Sequence, residues 1–401
     1  MKIPIPPNVQ AILDTLESPG HEAFIVGGCV RDVIRGTGPK DWDVATSATP
    51  AQVKALFLRT IDTGIKHGTI TVLIHHESYE VTTYRIDGEY LDNRRPESVI
   101  FTTQIEDDLS RRDFTMNAIA YHPTQGFVDP FHGQEDIEKK IIRCVGVAEN
   151  RFNEDALRML RAIRFSAVLG FDVDEEAFIA MTTLKKNLAH ISPERIREEL
   201  GKLICGAYPQ AIKRLEDTGL LKYVLQGRHY KGNLTHIIEK IQNCPPDEPM
   251  RLTLFLSWAE SDCENILKDL RYDNKTIKEV ALYIRLLYVP IKNDPVEIKK
   301  LLRQMPQESF KKLLDLKKIE LENINAIRQT AYSIIAKGEC FTLGDLAVNG
   351  RDLAQAGIPH GKIMGDILET LLNAVMHDPS LNKKERLLAY LHQHIHTASA
   401  F

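Results

Sequence analysis

The sequence predicts an α+β protein, in which a small mixed sheet with helices is followed by an all-α region. Up to about residue 150, short runs of β-branched and aromatic residues alternate with turn residues, as in strands. Beyond that point hydrophobic residues recur at helical spacing. The chain has 401 residues, more than the roughly 250–300 at which a single core stops growing, so several domains are expected.

Composition limits the classes of protein to consider. The chain is 43% hydrophobic and 26% charged, which is ordinary for a globular protein. It has no apolar run near the ~20 residues of a membrane span, and residues 1–7 lack the apolar core of a signal peptide. Its six cysteines are scattered and show no metal-binding spacing, which fits a reducing cytoplasm. We therefore expect a cytoplasmic protein, and the lack of an apolar span predicts no membrane partner. The net charge of −4 means that any nucleic-acid contact must use local basic patches.

A glycine pair follows the first predicted strand. Residues 24–26, Phe-Ile-Val, form an apolar run that leads directly into Gly27 and Gly28. Residues 29–35 are predicted to form a helix that Gly36 ends. Glycines at the start of a helix let a phosphate approach bare backbone N–H groups. This segment therefore predicts a phosphate-binding turn.

Asp41 and Asp43 come shortly afterwards. On a strand, residues two apart point to the same side, so both carboxylates are expected to face one way. Two adjacent carboxylates repel each other unless a cation lies between them, and Mg²⁺ prefers oxygen ligands. Either motif alone is a weak signal, but a phosphate-binding turn beside a metal-binding carboxylate pair indicates nucleotidyl transfer.

Glu80 is the third candidate carboxylate. Residues 69–74 and 79–84 are predicted to be neighbouring strands joined by a polar turn. On its strand, Glu80 lies on the face opposite Val81 and Thr83. It is either a solvent-facing residue or a participant at the metal site, since a carboxylate within a β-branched run needs a partner if it is buried.

Arg111 and Arg112 are predicted to begin an amphipathic helix, where positive charge opposes the helix dipole. They therefore need anionic partners. Asp107 and Asp108 could supply these from within the chain. A nucleoside triphosphate could do so equally well, because arginine forms bidentate pairs with phosphate oxygens.

A stripe of charged residues follows on a helix predicted to begin after Asn153 and to continue through Leu169. The stripe consists of Asp155, Arg158, Arg161 and Arg164, at intervals of three residues. Such a stripe is commonly a solvated face with ion pairs. Asp and Arg can also bind a base edge, since Asp accepts from an exocyclic amine and Arg donates to a ring acceptor. One such pair would accept C and A and refuse U and G without a template.

Together these segments resemble a known family. The motifs occur in the order found in bacterial tRNA nucleotidyltransferases, and the sequence closely resembles the CCA-adding enzymes of the eubacterial and eukaryotic class, within the polymerase-beta-like nucleotidyltransferase superfamily. The motifs are Gly27-Gly28-x-Val30-Arg31-Asp32, Asp41-x-Asp43, Arg111-Arg112-Asp113-Phe114-Thr115-x-Asn117-Ala118, Asp129-Pro130-Phe131-x-Gly133, Glu154-Asp155-x-x-Arg158 and Ile191-Ser192-x-Glu194-Arg195. The resemblance implies a polymerase-beta-like catalytic head over residues 1–150, a helical neck over 151–205, and a helical body and tail over 206–310 and 311–401.

The resemblance also implies an activity and a set of site residues. The activity is addition of C, C and A to the tRNA 3′ end from CTP and ATP, by attack of the 3′-hydroxyl on the α-phosphate. It places Mg²⁺ on Asp41 and Asp43, with Glu80 assisting. It places the triphosphate and sugar near Gly28, Arg31 and Arg112. It places the base against Asp155 and Arg158, with Arg161 and Arg164 in the same pocket.

The partners implied are tRNA, CTP and ATP, and a homodimer is compatible with the pattern. The body and tail, which contain lysine pairs at 299–300, 311–312, 317–318 and 383–384, would hold the tRNA by phosphate contacts and shape. Each pair alone is more often a solvated helix face, so no individual contact is assigned. Alternative functions are a poly(A) polymerase, an enzyme that adds only CC or only A, and a non-catalytic tRNA-binding protein. Residues 87–96 resemble the loop of full CCA-adding enzymes, and we expect this segment to act in the change from C to A addition.

Overall fold

A mixed sheet dominates the first part of the chain, of which the computed structural model describes residues 3–88, 98–320 and 324–394. Its strands are β1 (Ala23–Val26), β2 (Asp43–Thr46), β3 (Thr60–Gly64), β4 (Thr69–Ile74), β5 (Glu77–Thr83), β6 (Arg85–Asp87), β7 (Val99–Phe101), β8 (Ala120–His122), β9 (Gly126–Val128), β10 (Ile141–Ile142) and β11 (Asp172–Val173). Seven of them form the sheet, in the order β3-β4-β5-β2-β1-β8-β9. Two smaller pairs are β6 with β7 and β10 with β11.

The pair β2 and β5 is parallel, whereas the other neighbours in the seven-stranded sheet are antiparallel. In this pair Asp43 lies directly beside Glu80. Along β5, Tyr79 and Val81 are buried while Glu80 is exposed, which confirms the predicted alternation. The predicted turn between β4 and β5 is confirmed as well, at His75 and His76, which both have positive φ.

The helices are distributed around the sheet and then make up nearly all of the remaining chain. They are α1 (Pro7–Glu17), α2 (Gly28–Ile34), α3 (Pro50–Leu56), α4 (Ile105–Ser110), α5 (Gly133–Lys139), α6 (Ala148–Glu154), α7 (Leu157–Leu169), α8 (Glu175–Leu184), α9 (Pro193–Ile204), α10 (Lys213–Asp217), α11 (Leu221–Val224), α12 (Leu234–Gln242), α13 (Glu248–Leu256), α14 (Cys263–Asp269), α15 (Asn274–Leu287), α16 (Pro295–Gln304), α17 (Gln307–Glu320), α18 (Asn325–Ala336), α19 (Gly350–Gln355), α20 (Lys362–His377) and α21 (Lys384–His394). None of the helices in the described ranges is long and apolar enough to cross a membrane.

The helix predicted from Asn153 to Leu169 is wrong, because the chain leaves the helical conformation at Asp155. Helix α6 ends at Glu154, and Asp155 is extended, with φ −139° and ψ 103°. The Asp155 carboxylate then accepts a hydrogen bond from the backbone N–H of Leu157 (3.0 Å), near the start of α7. Asp side chains that bind nearby backbone N–H groups favour such breaks over a continuous helix.

The helix predicted to begin at Arg111 is also wrong. Helix α4 ends at Ser110, so Arg111 and Arg112 follow a helix instead of starting one. Positive charge near the carboxyl end of a helix is favourable, which removes the conflict with the dipole. A single 3₁₀ turn, Thr115–Asn117, replaces the expected helix. Phe114 instead forms a β-bridge with Cys144.

An apolar cluster fixes α4 against the sheet. Its buried members are Phe24, Val26, Ala45, Tyr84, Ile105, Leu109, Ala118, Ala120 and Val145. Burial of each large side chain contributes about 1.5–3 kcal/mol. Because Ile105 and Leu109 belong to α4, this cluster fixes the end of the helix from which Arg111 and Arg112 extend.

The chain divides into two compact units. The N-terminal unit comprises Met1–Arg251 and Ser261–Ile277, and the C-terminal unit comprises Leu252–Glu260 and Lys278–Phe401. Within the C-terminal unit, α20 and α21 contribute Leu371, Leu372, Leu387 and Leu391 to a hydrophobic cluster.

Two lysines of the pairs in the body and tail are buried within the C-terminal unit. Lys299 is 1% exposed, donates to the carbonyl of Met376 (3.0 Å) and pairs with Glu339 (2.8 Å). Lys317 is fully buried and donates to the carbonyls of Leu287 (3.1 Å) and Val289 (2.6 Å). Neither side chain is available for phosphate contacts, and neither lies on the solvated helix face that such pairs usually indicate. The loop expected to act in the change from C to A addition falls largely on residues 89–97, outside the described residues.

Candidate active site

A cavity of about 490 Å³ brings together residues from the sheet and from the helices that follow it. All of its lining residues belong to the N-terminal unit. They are Gly28, Arg31, Asp43, Arg112, Asp113, Asn117, Asp155, Arg158, Arg161, Arg164, Phe165 and Arg195. Eight of the residues predicted from sequence are therefore in one place. Asp41 and Glu80, the other two, are not among the residues that line it.

The carboxylates are grouped at the start of β2. Asp43 is the first residue of that strand, and Glu80 lies beside it on β5. Asp41 is exposed and lies in the bend that precedes β2, so the expectation that it shares a strand with Asp43 is wrong. Burial and the negative charges of Glu80 and Asp41 together raise the pKa of Asp43 to about 6, although the positive charge of Arg112 acts in the opposite direction.

This carboxylate group fits a divalent cation bound partly by its substrate. Within the ranges that the structure describes, no three His, Cys, Asp or Glu side chains form a complete metal site. Mg²⁺ commonly binds one or two carboxylates and completes its coordination with water and substrate phosphates. The repulsion that raises the pKa of Asp43 is what a cation would relieve.

Arginines occupy one end of the cavity, beside Gly28. Arg31 of α2 is largely buried and donates to Asn117 Oδ1 (2.7 Å) and Asp32 Oδ1 (2.9 Å). Arg112 approaches the preceding glycine closely, since a Cβ at Gly27 would lie 2.9 Å from Arg112 Nη1. Gly27 also has φ 78°, a left-handed conformation that favours glycine. The backbone of this turn thus leaves space for a guanidinium group.

Asp155 and Arg158 line the same cavity, but each is held by a different partner. Asp155 accepts from Arg195 through both oxygens, at 2.7 Å and 3.3 Å. Arg158 donates to Glu154 Oε2 (2.5 Å) and to the carbonyl of Arg111 (3.1 Å). Both side chains are therefore fixed before any base is bound.

The remaining arginines of the stripe are ion-paired within the cavity wall. Arg161 donates twice to Asp113 Oδ2, at 2.6 Å and 2.8 Å, and Arg164 donates to Glu199 Oε2 (2.8 Å). Burial alone would raise the pKa of Asp113, but the charge of Arg161 and the hydrogen bonds from Asn117 and Arg161 lower it to about 2. The Arg164 guanidinium lies 3.6 Å from the centre of the Phe165 ring.

Sequence reasoning did not assign roles to four lining residues, Asp113, Asn117, Phe165 and Arg195. Asp113, Asn117 and Arg195 lie within the motifs quoted above, so their signal was present, but their partners are distant in sequence. Phe165 carried no signal beyond its place on an apolar helix face.

Comparisons with known proteins identify the family and its fold. Residues 23–143 match the family model "Poly A polymerase head domain", residues 170–230 match "Probable RNA and SrmB-binding site of polymerase A", and residues 250–391 match "tRNA nucleotidyltransferase domain 2 putative". The fold is therefore that of a nucleotidyltransferase with a polymerase-type head. The CCA-adding enzyme of Geobacillus kaustophilus is 40% identical over 397 residues, covering 96% of this chain and 97% of the relative. This chain belongs to the family of CCA-adding enzymes.

Two further relatives agree with this result. The CCA-adding enzyme of Lactiplantibacillus plantarum is 37% identical over 391 residues, which is 94% of each chain. The crystal structure of the Bacillus stearothermophilus CCA-adding enzyme in complex with CTP superimposes with a TM-score of 0.85 and 33% identity, over 98% of this chain and 99% of that chain. The α+β fold with a polymerase-beta-like head is thus confirmed, and enzymes of this class use a divalent metal ion.

Proposed function

We propose that this enzyme adds C, C and A to the 3′ end of tRNA, using CTP and ATP and no nucleic-acid template. The tRNA 3′-hydroxyl attacks the α-phosphate of the bound nucleotide, a new phosphodiester bond forms, and pyrophosphate leaves. The observation that carries this proposal is the single cavity that joins Asp43, the arginines near Gly28, and the pair Asp155 and Arg158. It can hold the reacting phosphate, the triphosphate and the base of one nucleotide at once.

The residues divide between binding and chemistry. Arg31 and Arg112, beside Gly28, bind the triphosphate, because guanidinium groups form charge-assisted hydrogen bonds with phosphate oxygens. Asp155 and Arg158 bind the base edge, and Arg161 and Arg164 shape the same pocket. Asp155, while held by Arg195, can accept from a base amine through the remaining lone pairs of its carboxylate, and this contact would select C and A over U and G.

Asp41 and Asp43 are the proposed ligands of Mg²⁺, and Glu80 assists through its position beside Asp43. A bound Mg²⁺ would lower the pKa of the attacking hydroxyl and stabilise negative charge on the phosphate oxygens. Arg112 lies close enough to Asp43 for its positive charge to lower the pKa of that carboxylate, so it also contributes positive charge at this end of the cavity.

We further propose that residues 1–150 form the catalytic head, 151–205 the neck that recognises the base, and 206–310 and 311–401 the body and tail that bind tRNA. A tRNA substrate places the enzyme in the cytoplasm. Of the lysine pairs, Lys300, Lys318, Lys383 and Lys384 are exposed and can contact phosphates.

The experiment is incubation with a tRNA that lacks its 3′ CCA, with CTP and ATP separately and together, followed by sequencing of the products. Products ending in CCA support the proposal. Products ending in CC or extended only by A identify a partial enzyme, long A tails identify a poly(A) polymerase, and unextended tRNA identifies a non-catalytic protein.

The variants Asp41→Ala and Asp43→Ala test the carboxylates in the same assay. Both are expected to abolish incorporation of C and A while tRNA binding stays within a few-fold. Asp62→Ala is the matched control, because Asp62 is an exposed carboxylate on β3 of the same sheet. Substantial Mg²⁺-dependent turnover by either test variant would contradict the assignment.

A further inference from the structure

The carboxylate of Asp108 is fully buried at the end of α4, between two arginines. It accepts from Arg111 Nε (3.0 Å) and Nη2 (2.7 Å) through Oδ1, and from Arg112 Nη2 (3.0 Å) through Oδ2. One carboxylate thus uses both oxygens to hold two adjacent guanidinium groups. Burial alone would raise the pKa of Asp108, but the charges of Arg112 and Arg111 and their hydrogen bonds outweigh it, and the pKa is lowered.

Arg112 extends from this contact into the cavity. Its Nη1 lies near the carbonyl of Asn117 (3.5 Å) and close to Gly27, while the guanidinium lines the cavity with Gly28 and Asp43. Its side chain is 19% exposed, so most of the group is enclosed by the protein. The position of the guanidinium is therefore set by Asp108 on one side and by the Gly27 turn on the other.

An arginine binds phosphate more tightly when other residues already hold its side chain in the binding position. Ordering a free arginine side chain on binding costs conformational entropy, which a side chain that is already held does not lose. Arg111 and Arg112 also repel each other as neighbouring positive charges, and the shared carboxylate offsets this repulsion. Asp108 itself does not line the cavity, so any effect on the nucleotide must act through the arginines.

We propose that Asp108 is a positioning residue for the triphosphate: it holds the Arg112 guanidinium at the phosphate end of the cavity and thereby sets the preference for nucleoside triphosphates over monophosphates. This inference rests on the proposed function, because it assumes that Arg112 contacts the triphosphate. It assigns a role to a residue that touches neither the base nor the reacting atoms.

The test is equilibrium binding of CTP and CMP by the Asp108→Asn variant, with steady-state kinetics on tRNA. We expect CTP to bind about 10-fold more weakly, equivalent to about 1.4 kcal/mol, while CMP binding changes less than about twofold. The KM for CTP should rise more than kcat falls. Asp107→Asn is the matched control, because Asp107 on the same helix accepts from the Thr102 hydroxyl (2.7 Å) and should leave both affinities unchanged. Equal weakening of CTP and CMP would overturn the proposal.

A double-mutant cycle separates this role from a general loss of structure. In an Arg112→Gln background, Asp108→Asn should change the ratio of CTP to CMP affinity by less than about twofold, because its effect passes through Arg112. Additive effects would overturn the role of Asp108 while leaving the proposed function intact. An unchanged ratio in Arg112→Gln alone would overturn both assignments.

A second variant keeps the test valid if Asp108→Asn does not fold. Asp108→Glu retains the charge but moves the carboxylate by one methylene group, so the arginines shift without losing their partner. We expect the ratio of CTP to CMP affinity to fall about threefold, with a thermal unfolding temperature near that of the parent. A folded Asp108→Glu variant with an unchanged ratio would contradict the proposal.

Discussion

Arg195 and Asp155 form an ion pair through two contacts, Nη2 to Oδ2 at 2.7 Å and Nη1 to Oδ1 at 3.3 Å. Arg195 lies in the first turn of α9, where the helix dipole disfavours positive charge. Asp155 lies in the extended break between α6 and α7. The pair therefore holds a carboxylate in the nucleotide cavity at the point where the backbone leaves the helical conformation.

Removal of this partner should loosen base selection. In Arg195→Gln, Asp155 keeps its charge but loses both contacts, and we expect the preference for CTP over UTP and for ATP over GTP to fall about 10-fold. Competition between the correct and incorrect nucleotide on one tRNA measures this preference. Lys202→Gln is the matched control, since it removes the same charge from an exposed position on α9. Unchanged selection in Arg195→Gln would show that Asp155 is held adequately by Leu157 alone.

Loss of either base-binding side chain should relax selection more than it slows the chemistry. In Asp155→Ala and in Arg158→Ala, one hydrogen-bonding group of the base edge is left unpaired. We expect each variant to lose about 1–3 kcal/mol of discrimination between the correct and the incorrect base. The same competition assay applies. Arg214→Ala is the matched control, because Arg214 on α10 pairs with Asp172 and does not line the cavity. A variant that lost activity but kept its discrimination would indicate a structural or catalytic role.

A methyl group at Gly27 should displace Arg112. The new Cβ would lie 2.9 Å from Nη1, and the flexible end of the arginine can move away, so we expect KM to rise about 10-fold for CTP and ATP alike. Gly36→Ala is the control, because Gly36 has a similar φ of 75° but open space around its Cβ position. Both variants should lose about 1–2 kcal/mol of stability through the left-handed backbone. A similar KM in the two variants would argue against displacement of Arg112.

Lys317 should make stability depend on pH above neutrality. Burial lowers its pKa from 10.5 to about 8, so between these values the unfolded chain binds a proton that the folded chain does not. Stability from this group therefore rises with pH across that window, by roughly 2 kcal/mol. Denaturant unfolding at pH 7 and pH 10 should show that the free energy of unfolding of the parent rises with pH relative to that of Lys317→Met. The free energy of unfolding of Lys318→Met, a variant at an exposed position, should change with pH as that of the parent does. A constant difference between parent and Lys317→Met would contradict the lowered pKa.

Local spacing in the sequence predicted the elements of the sheet well. The hairpin of β4 and β5 and the face on which Glu80 lies follow from the alternation of side chains, which depends only on neighbouring residues. Helix α2 and the turn before it likewise follow from the glycines at its two ends.

The failures arose where distant partners decide the structure. The break at Asp155 depends partly on Arg195, 40 residues further along the chain. The burial of Lys317 depends on carbonyls at the end of α15, about 30 residues away. Eight candidate residues named from the sequence line one cavity, but their partners, such as Asp108 for Arg112, required the structure.

The division between the two units falls inside helices. Helix α13 passes from one unit to the other after Arg251, and α15 does so after Ile277. Domain boundaries more often fall in exposed linkers, where genes can recombine without damage. If two relatives were joined at residue 251 alone, α14 would come from a different protein than the rest of the N-terminal unit. If they were joined at residue 277 alone, the buried Leu254 and Phe255 would come from a different protein than the rest of the C-terminal unit. Exchange of the C-terminal unit with that of a relative therefore requires three coordinated junctions, and we expect the two units to be inherited together.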